Sequence, residues 1–118
     1  MPQVTNGDWG FDLAVAFVDG AGDPVNVSAA DDMEIILGPT IGAGTAYEAE
    51  AVEGQTNQIH YVVEADVIAA TLDATRPDAR QRWYYQGHVA KADEYDLRSA
   101  IGFFDVTHRL DPPDAPEE

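Results

Sequence analysis

The chain contains no cysteine, and no lysine or arginine precedes Arg76. The first absence excludes a disulfide framework, a thiol nucleophile and a thiolate metal site, and it leaves the redox compartment open. The second leaves the first 75 residues without a basic surface, so nucleic-acid binding through phosphate contacts is set aside. Long apolar runs are missing as well. No stretch approaches the roughly 18 apolar residues of a membrane span, and the polar first residues predict no signal peptide. Lysine is almost absent, Lys91 being the only one.

What the chain has in excess is carboxylate. Twenty-two Asp and Glu face six Lys and Arg, for a net charge of −16, and residues 1–75 hold thirteen of those acids. Self-repulsion on this scale works against a compact state in dilute salt. Molar salt shortens the screening length to about 3 Å and relieves it. An acidic, lysine-poor, alanine-rich chain reads most simply as a protein of a high-salt organism. An ordinary acidic protein, or an acidic face matched to a basic partner, are the alternatives. At 118 residues and 45% hydrophobic, the chain predicts one domain with one modest core.

The hydrophobic pattern is that of strands. In FDLAVAFV (11–18), Phe11, Leu13, Val15 and Phe17 alternate with Asp12, Ala14 and Ala16. The segment DGAGD (19–23) then supplies turn residues, and Pro24–Val27 predicts a short edge strand. Met33–Leu37 resumes the alternation before the glycine-containing loop 38–45. Ala46–Val52 and Gln58–Val63 read as a hairpin about the turn at 54–57. Residues 66–72 (DVIAATL) predict one or two helical turns with Asp66 as N-cap. Arg82–Val89 is rich in strand formers, and Leu97–Val106 reads as the last strand. The prediction is all-β: a small antiparallel Ig-like β-sandwich of about seven strands with one short helical insert, over residues 1–108. An acidic, proline-rich tail, DPPDAPEE, is expected to close the chain within 109–118.

The order of these features resembles a known family. A first alternating strand ends in Asp19-Gly20, DPVNVS (23–28) follows, and MEIIL (33–37) leads into a glycine loop. Then come YEAEAVEGQTNQIHYVV, a short helical segment, the aromatic strand RWYYQGHV and a last strand closing on FFDV (103–106). Over residues 7–106 this is similar to the Ig-like N-terminal domain of phage baseplate upper proteins and to related small β-sandwich modules of tailed viruses. It departs from the pattern before Trp83, where Gln81 and Arg82 stand in place of the usual glycine approach. The resemblance implies a non-enzymatic virion protein, either a tail or baseplate adaptor or a capsid decoration module. Its partners would be other virion proteins and copies of itself.

Few residues suggest chemistry. DGAGD lacks the alternating oxygen ligands and terminal Glu of a calcium loop, and reads as a turn with φ > 0 at its glycines. His60, His88 and His108 lie on presumed strands with their rings directed to solvent, not converging as zinc ligands. No G-x-S-x-G elbow surrounds Ser28 or Ser99. No catalytic residue, cofactor or metal is therefore expected. One cluster remains: Arg76, Arg80 and Arg82 followed by Trp83, Tyr84 and Tyr85 mix arginine and aromatic side chains, as interface centres do. If Trp83 and Tyr85 face the core, Tyr84 faces out. The alternative use of such exposed aromatics is to stack on a sugar, giving a carbohydrate-binding module for a host surface glycan.

Overall fold

The computed structural model describes residues 3–109, and these contain strands and turns without a helix. In chain order the strands are β1 (Gln3–Thr5), β2 (Asp12–Ala16), β3 (Asp32–Gly38), β4 (Thr45–Glu48), β5 (Glu50–Ala51), β6 (Gln58–Val62), β7 (Arg80–Lys91), β8 (Tyr95–Arg98) and β9 (Gly102–Thr107). They form two sheets. The larger has the order β1-β9-β7-β3-β4, with β8 also paired to β7, and the smaller is β2-β6-β5. The arrangement is that of a β-sandwich.

Alternation builds the core. On β2, Leu13 and Val15 are buried while Asp12, Ala14 and Ala16 are exposed. Ile59 and Tyr61 of β6 continue that inner face, and the larger sheet answers with Ile35, Leu37, Trp83, Val89, Phe104 and Val106. Each such side chain, once buried, contributes about 1.5–3 kcal/mol. At Gly87 the smaller sheet's side chains press directly on the backbone of the larger sheet. A Cβ there would lie 2.3 Å from Val15 Cγ2 and 3.1 Å from Phe17 Cζ. Tyr47 of the larger sheet stacks on Tyr61 of the smaller, with ring centroids 5.1 Å apart.

Five expectations require correction. The helical insert at 66–72 does not form. Asp66 sits at φ +72°, where an N-cap residue cannot be. The backbone groups a helix would use internally also go elsewhere. Asn6 accepts from Ala70 N–H (2.9 Å) and donates to Ala70 C=O (3.0 Å), while Gly7 N–H donates to Ile68 C=O. Second, Pro24–Val27 makes only an isolated bridge, Val18 to Pro24, and Val27 instead plugs the core. Third, Ala46–Val52 is two strands. At Ala49, whose N–H donates to Met33 C=O, the chain leaves the larger sheet and β5 begins in the smaller.

The fourth concerns Leu97–Val106, which a bulge divides. Between the pairs His88–Arg98 and Tyr85–Gly102, β7 advances by three residues and the opposite chain by four. One residue is therefore extra, and side chains beyond it reverse face. Ser99 Oγ anchors the bulge, accepting from Gly87 N–H at 2.8 Å and donating to Ala100 C=O. Fifth, the sheets are not wholly antiparallel, since β1 runs parallel to β9. Of the tail expected at 109–118, all but Arg109 lies outside the described residues.

Candidate interaction surface

β7 divides the predicted cluster by parity. Trp83 is buried and donates from Nε1 to Gln81 Oε1 at 2.9 Å, and Tyr85 packs over Phe104 with centroids 6.1 Å apart. Both belong to the inner face. Arg80, Arg82 and Tyr84 face outward. Arg76 stands apart in the turn before β7, where its exposed side chain lies 3.8 Å from Asp78. The structure thus brings together three of the six predicted residues on one surface.

What joins them there was not legible in the sequence. Read as one uninterrupted strand, 97–106 gives no reason for Ile101 and Phe103 to share the outer face with Tyr84; the bulge puts them there. Phe103 lies directly across from Tyr84, and Asp105 directly across from Arg82. The Arg82 guanidinium sits 4.2 Å above the Phe103 ring, a cation–π contact. Arg82 Nε also donates to Asp105 Oδ1 at 3.2 Å, and Arg80 approaches Oδ2 at 3.6 Å. Asp105 is 3% exposed although it stands on the outer face, because these two arginines cover it. Its charge is therefore paired, as a buried carboxylate must be.

Beside Tyr84 the surface dips. Gly38, Gly42 and Gly44 leave a small hollow of about 60 Å³ walled by Ile36, Ile41, Tyr84 and Ile101. Ile41, Ile101 and Phe103 are three of the six large hydrophobic residues that are exposed in the described chain. With Ile36 of β3 and Tyr84 of β7 they form a strip that runs from Phe103 of β9 and Ile101 just before it to Ile41 in the loop after β3, with Arg82 stacked on Phe103. Such a strip suits the dry centre of a protein contact, with arginine at its rim.

The far end of the same face is polar. His88 Nδ1 lies 2.9 Å from Glu34 and Nε2 2.6 Å from Asp96, with Arg98 3.3 Å from Asp96. Burial works against a charged imidazole here, but the two carboxylate hydrogen bonds outweigh it and raise the His88 pKa. His88 is thus held in a clamp, not loose in solvent as the sequence pattern implied. His60 pairs with Asp12 at 2.8 Å, and His108 Nε2 meets Asp73 C=O. Among the described residues, no group of three or more His, Cys, Asp or Glu side chains is arranged to hold a metal ion.

The DGAGD segment folds as a turn. Asp19 Oδ1 accepts from the N–H groups of Ala21 and Asp23, and Gly22 adopts φ +86°. Its first carboxylate is directed at its own backbone. No family model matches the chain, and a search of curated proteins finds none similar to it.

Proposed function

We propose that this chain is a non-enzymatic structural module of a tailed-virus particle from a salt-loving host. It would be held among copies of itself and neighbouring virion proteins by the outer face of the larger sheet. The observation that carries the reading is the continuous strip of Ile41, Ile36, Tyr84, Ile101 and Phe103 beside Arg80 and Arg82. In molar salt, charge attraction over more than about 3 Å is screened, so a contact that must persist there relies on apolar burial. The strip supplies it. The viral setting is drawn from the resemblance in strand order, and the acidic composition supports the saline host.

Tyr84→Ala and Phe103→Ala decide the matter, since neither side chain is in the core. Both variants should fold with melting points near that of the parent yet fail to enter assembled particles. Trp83→Ala, by contrast, should lose about 3 kcal/mol or more of stability. Normal assembly by Tyr84→Ala and Phe103→Ala with loss of host-cell attachment would transfer the surface to glycan recognition. Normal assembly with normal attachment would remove the surface from function.

A further inference from the structure

The smaller sheet is one strand short on its open flank. β2 lies over β7 and β6 over β3, so β9 and β1 of the larger sheet project past the edge of β2. Among the described residues no strand pairs with that edge. Its backbone groups are directed outward. The bonds Phe17 N–H to Asn57 C=O and Val63 N–H to Phe11 C=O extend the β2–β6 register, in which the odd-numbered residues exchange hydrogen bonds. The N–H and C=O groups of Asp12, Ala14 and Ala16 therefore point away from β6 into the flank.

Beneath this edge lies an open cavity of about 380 Å³, with Val4, Phe11, Leu13, Tyr85 and Phe104 on its apolar wall. Asp8 and Asp12 also border it: Asp8 Oδ2 accepts from Thr5 N–H at 3.1 Å, and the Asp12 carboxylate lies on the outer face of β2, 2.8 Å from His60 Nδ1. An unpaired edge above an apolar trough is the geometry by which an added strand binds. Its backbone pairs with the edge, and its alternate side chains enter the trough.

We infer that the β2 flank receives an extended segment of another protein, apolar at alternate positions and basic between them. Three observations select this occupant. A second copy pairing antiparallel by its own β2 would bring its projecting β9 and β1 to the same side as these strands and into the space they fill, so in that pairing the position admits one strand and not a whole sandwich. Residues 110–118 of this chain carry three prolines, which lack the N–H a ladder needs, and four acids. Finally, residues 1–75 present thirteen acids and no base, with Asp8 and Asp12 at the trough itself, so the residues flanking the apolar anchors are lysine or arginine.

The test uses the full chain at the lowest KCl concentration at which it melts cooperatively. The probe is a blocked seven-residue peptide alternating lysine with leucine. At about 1 mM peptide, the weak end of specific binding, amide hydrogen exchange should slow at Asp12, Ala14 and Ala16. The same peptide with glutamate for lysine should bind at least about fivefold more weakly. Ala14→Pro removes a donor that β6 does not use, and it should abolish the protection while leaving the other strands protected. If that variant does not fold, a peptide N-methylated at alternate residues replaces it and should give no protection. Unchanged exchange at the three amides, equal binding of the glutamate peptide, or protection confined to the Tyr84 face would overturn the inference. Slowing that appears without peptide as protein concentration rises would also overturn it, in favour of self-pairing.

Discussion

The outer faces of the two sheets differ in whether Lys and Arg reach them. On the larger sheet, cations sit among the carboxylates. Arg80 and Arg82 cover Asp105, His88 bridges Glu34 and Asp96, and Arg98 adds to Asp96. The smaller sheet comes entirely from residues 1–75 and has no lysine or arginine; Asp12 lies 2.8 Å from His60. In the larger sheet β1, β3 and β4 also come from residues 1–75, and β7 and β8 bring the Lys and Arg side chains. The three strands of the smaller sheet are short, and their surface is alanine, glutamine and carboxylate with His60 and the exposed Val62. Like charges on neighbouring strands repel, so a sheet without cations is best kept small and its acids spaced.

The comparison can be pressed hardest with salt, which acts on every carboxylate at once. Between about 0.1 M and 3 M KCl the screening length falls from about 10 Å to below 3 Å. We expect the melting temperature to rise by more than about 15 °C, equivalent to roughly 3 kcal/mol at this chain length. Hydrogen exchange followed across the same range should show β2, β5 and β6 gaining more protection than β7 and β9. Equal gains in both sheets would break the comparison, and a constant melting point would remove the saline reading altogether.

A smaller effect, acting on the contact between sheets, comes from Gly87→Val. With no room for a Cβ against Val15 and Phe17, the sheets must part, at a cost of about 2–3 kcal/mol in urea unfolding. A neutral result would mean the sheets slide with ease and do not share a packed core at this point.

The smallest expected effect belongs to the larger sheet alone. His88 has a folded pKa raised above the ordinary 6.5. Its protonated form is therefore favoured by folding, and the stabilisation is fully present below pH 6.5. It is lost as pH rises through the raised value. Melting points measured from pH 6 upward should fall over that window, and His88→Gln should flatten the fall. A profile identical in the variant would show that the clamp around His88 is electrostatically idle.

Much of this architecture is legible in the residues. The alternation Phe11, Leu13, Val15, Phe17 declares β2 and its buried face, and the parity Trp83 in, Tyr84 out, Tyr85 in holds along β7. What escapes is whatever depends on a distant partner. DVIAATL has the composition of a helical turn, but Asn6 and Gly7, some 60 residues away, take its backbone groups. Ala49 carries no mark of a strand that changes sheets. The surface strip was half legible for the same reason: Arg80, Arg82 and Tyr84 announce themselves, whereas Ile36, Ile41, Ile101 and Phe103 gather beside them only through pairing register and one bulge.

That bulge has a consequence for how the gene can vary. The chain between Arg98 and Gly102 carries one residue more than the stretch of β7 that it faces. Loss of one in-frame codon near Ala100 would take that residue out and let the ladder run regularly from Arg98–His88 to Gly102–Tyr85, with Phe103 still across from Tyr84, Phe104 across from Trp83 and Asp105 across from Arg82. Point substitutions can be tolerated along much of this strand. The segment between Arg98 and Gly102 can also shorten by one residue without changing what β9 displays, and lineages of this protein should show that deletion there more readily than within Gly102–Thr107.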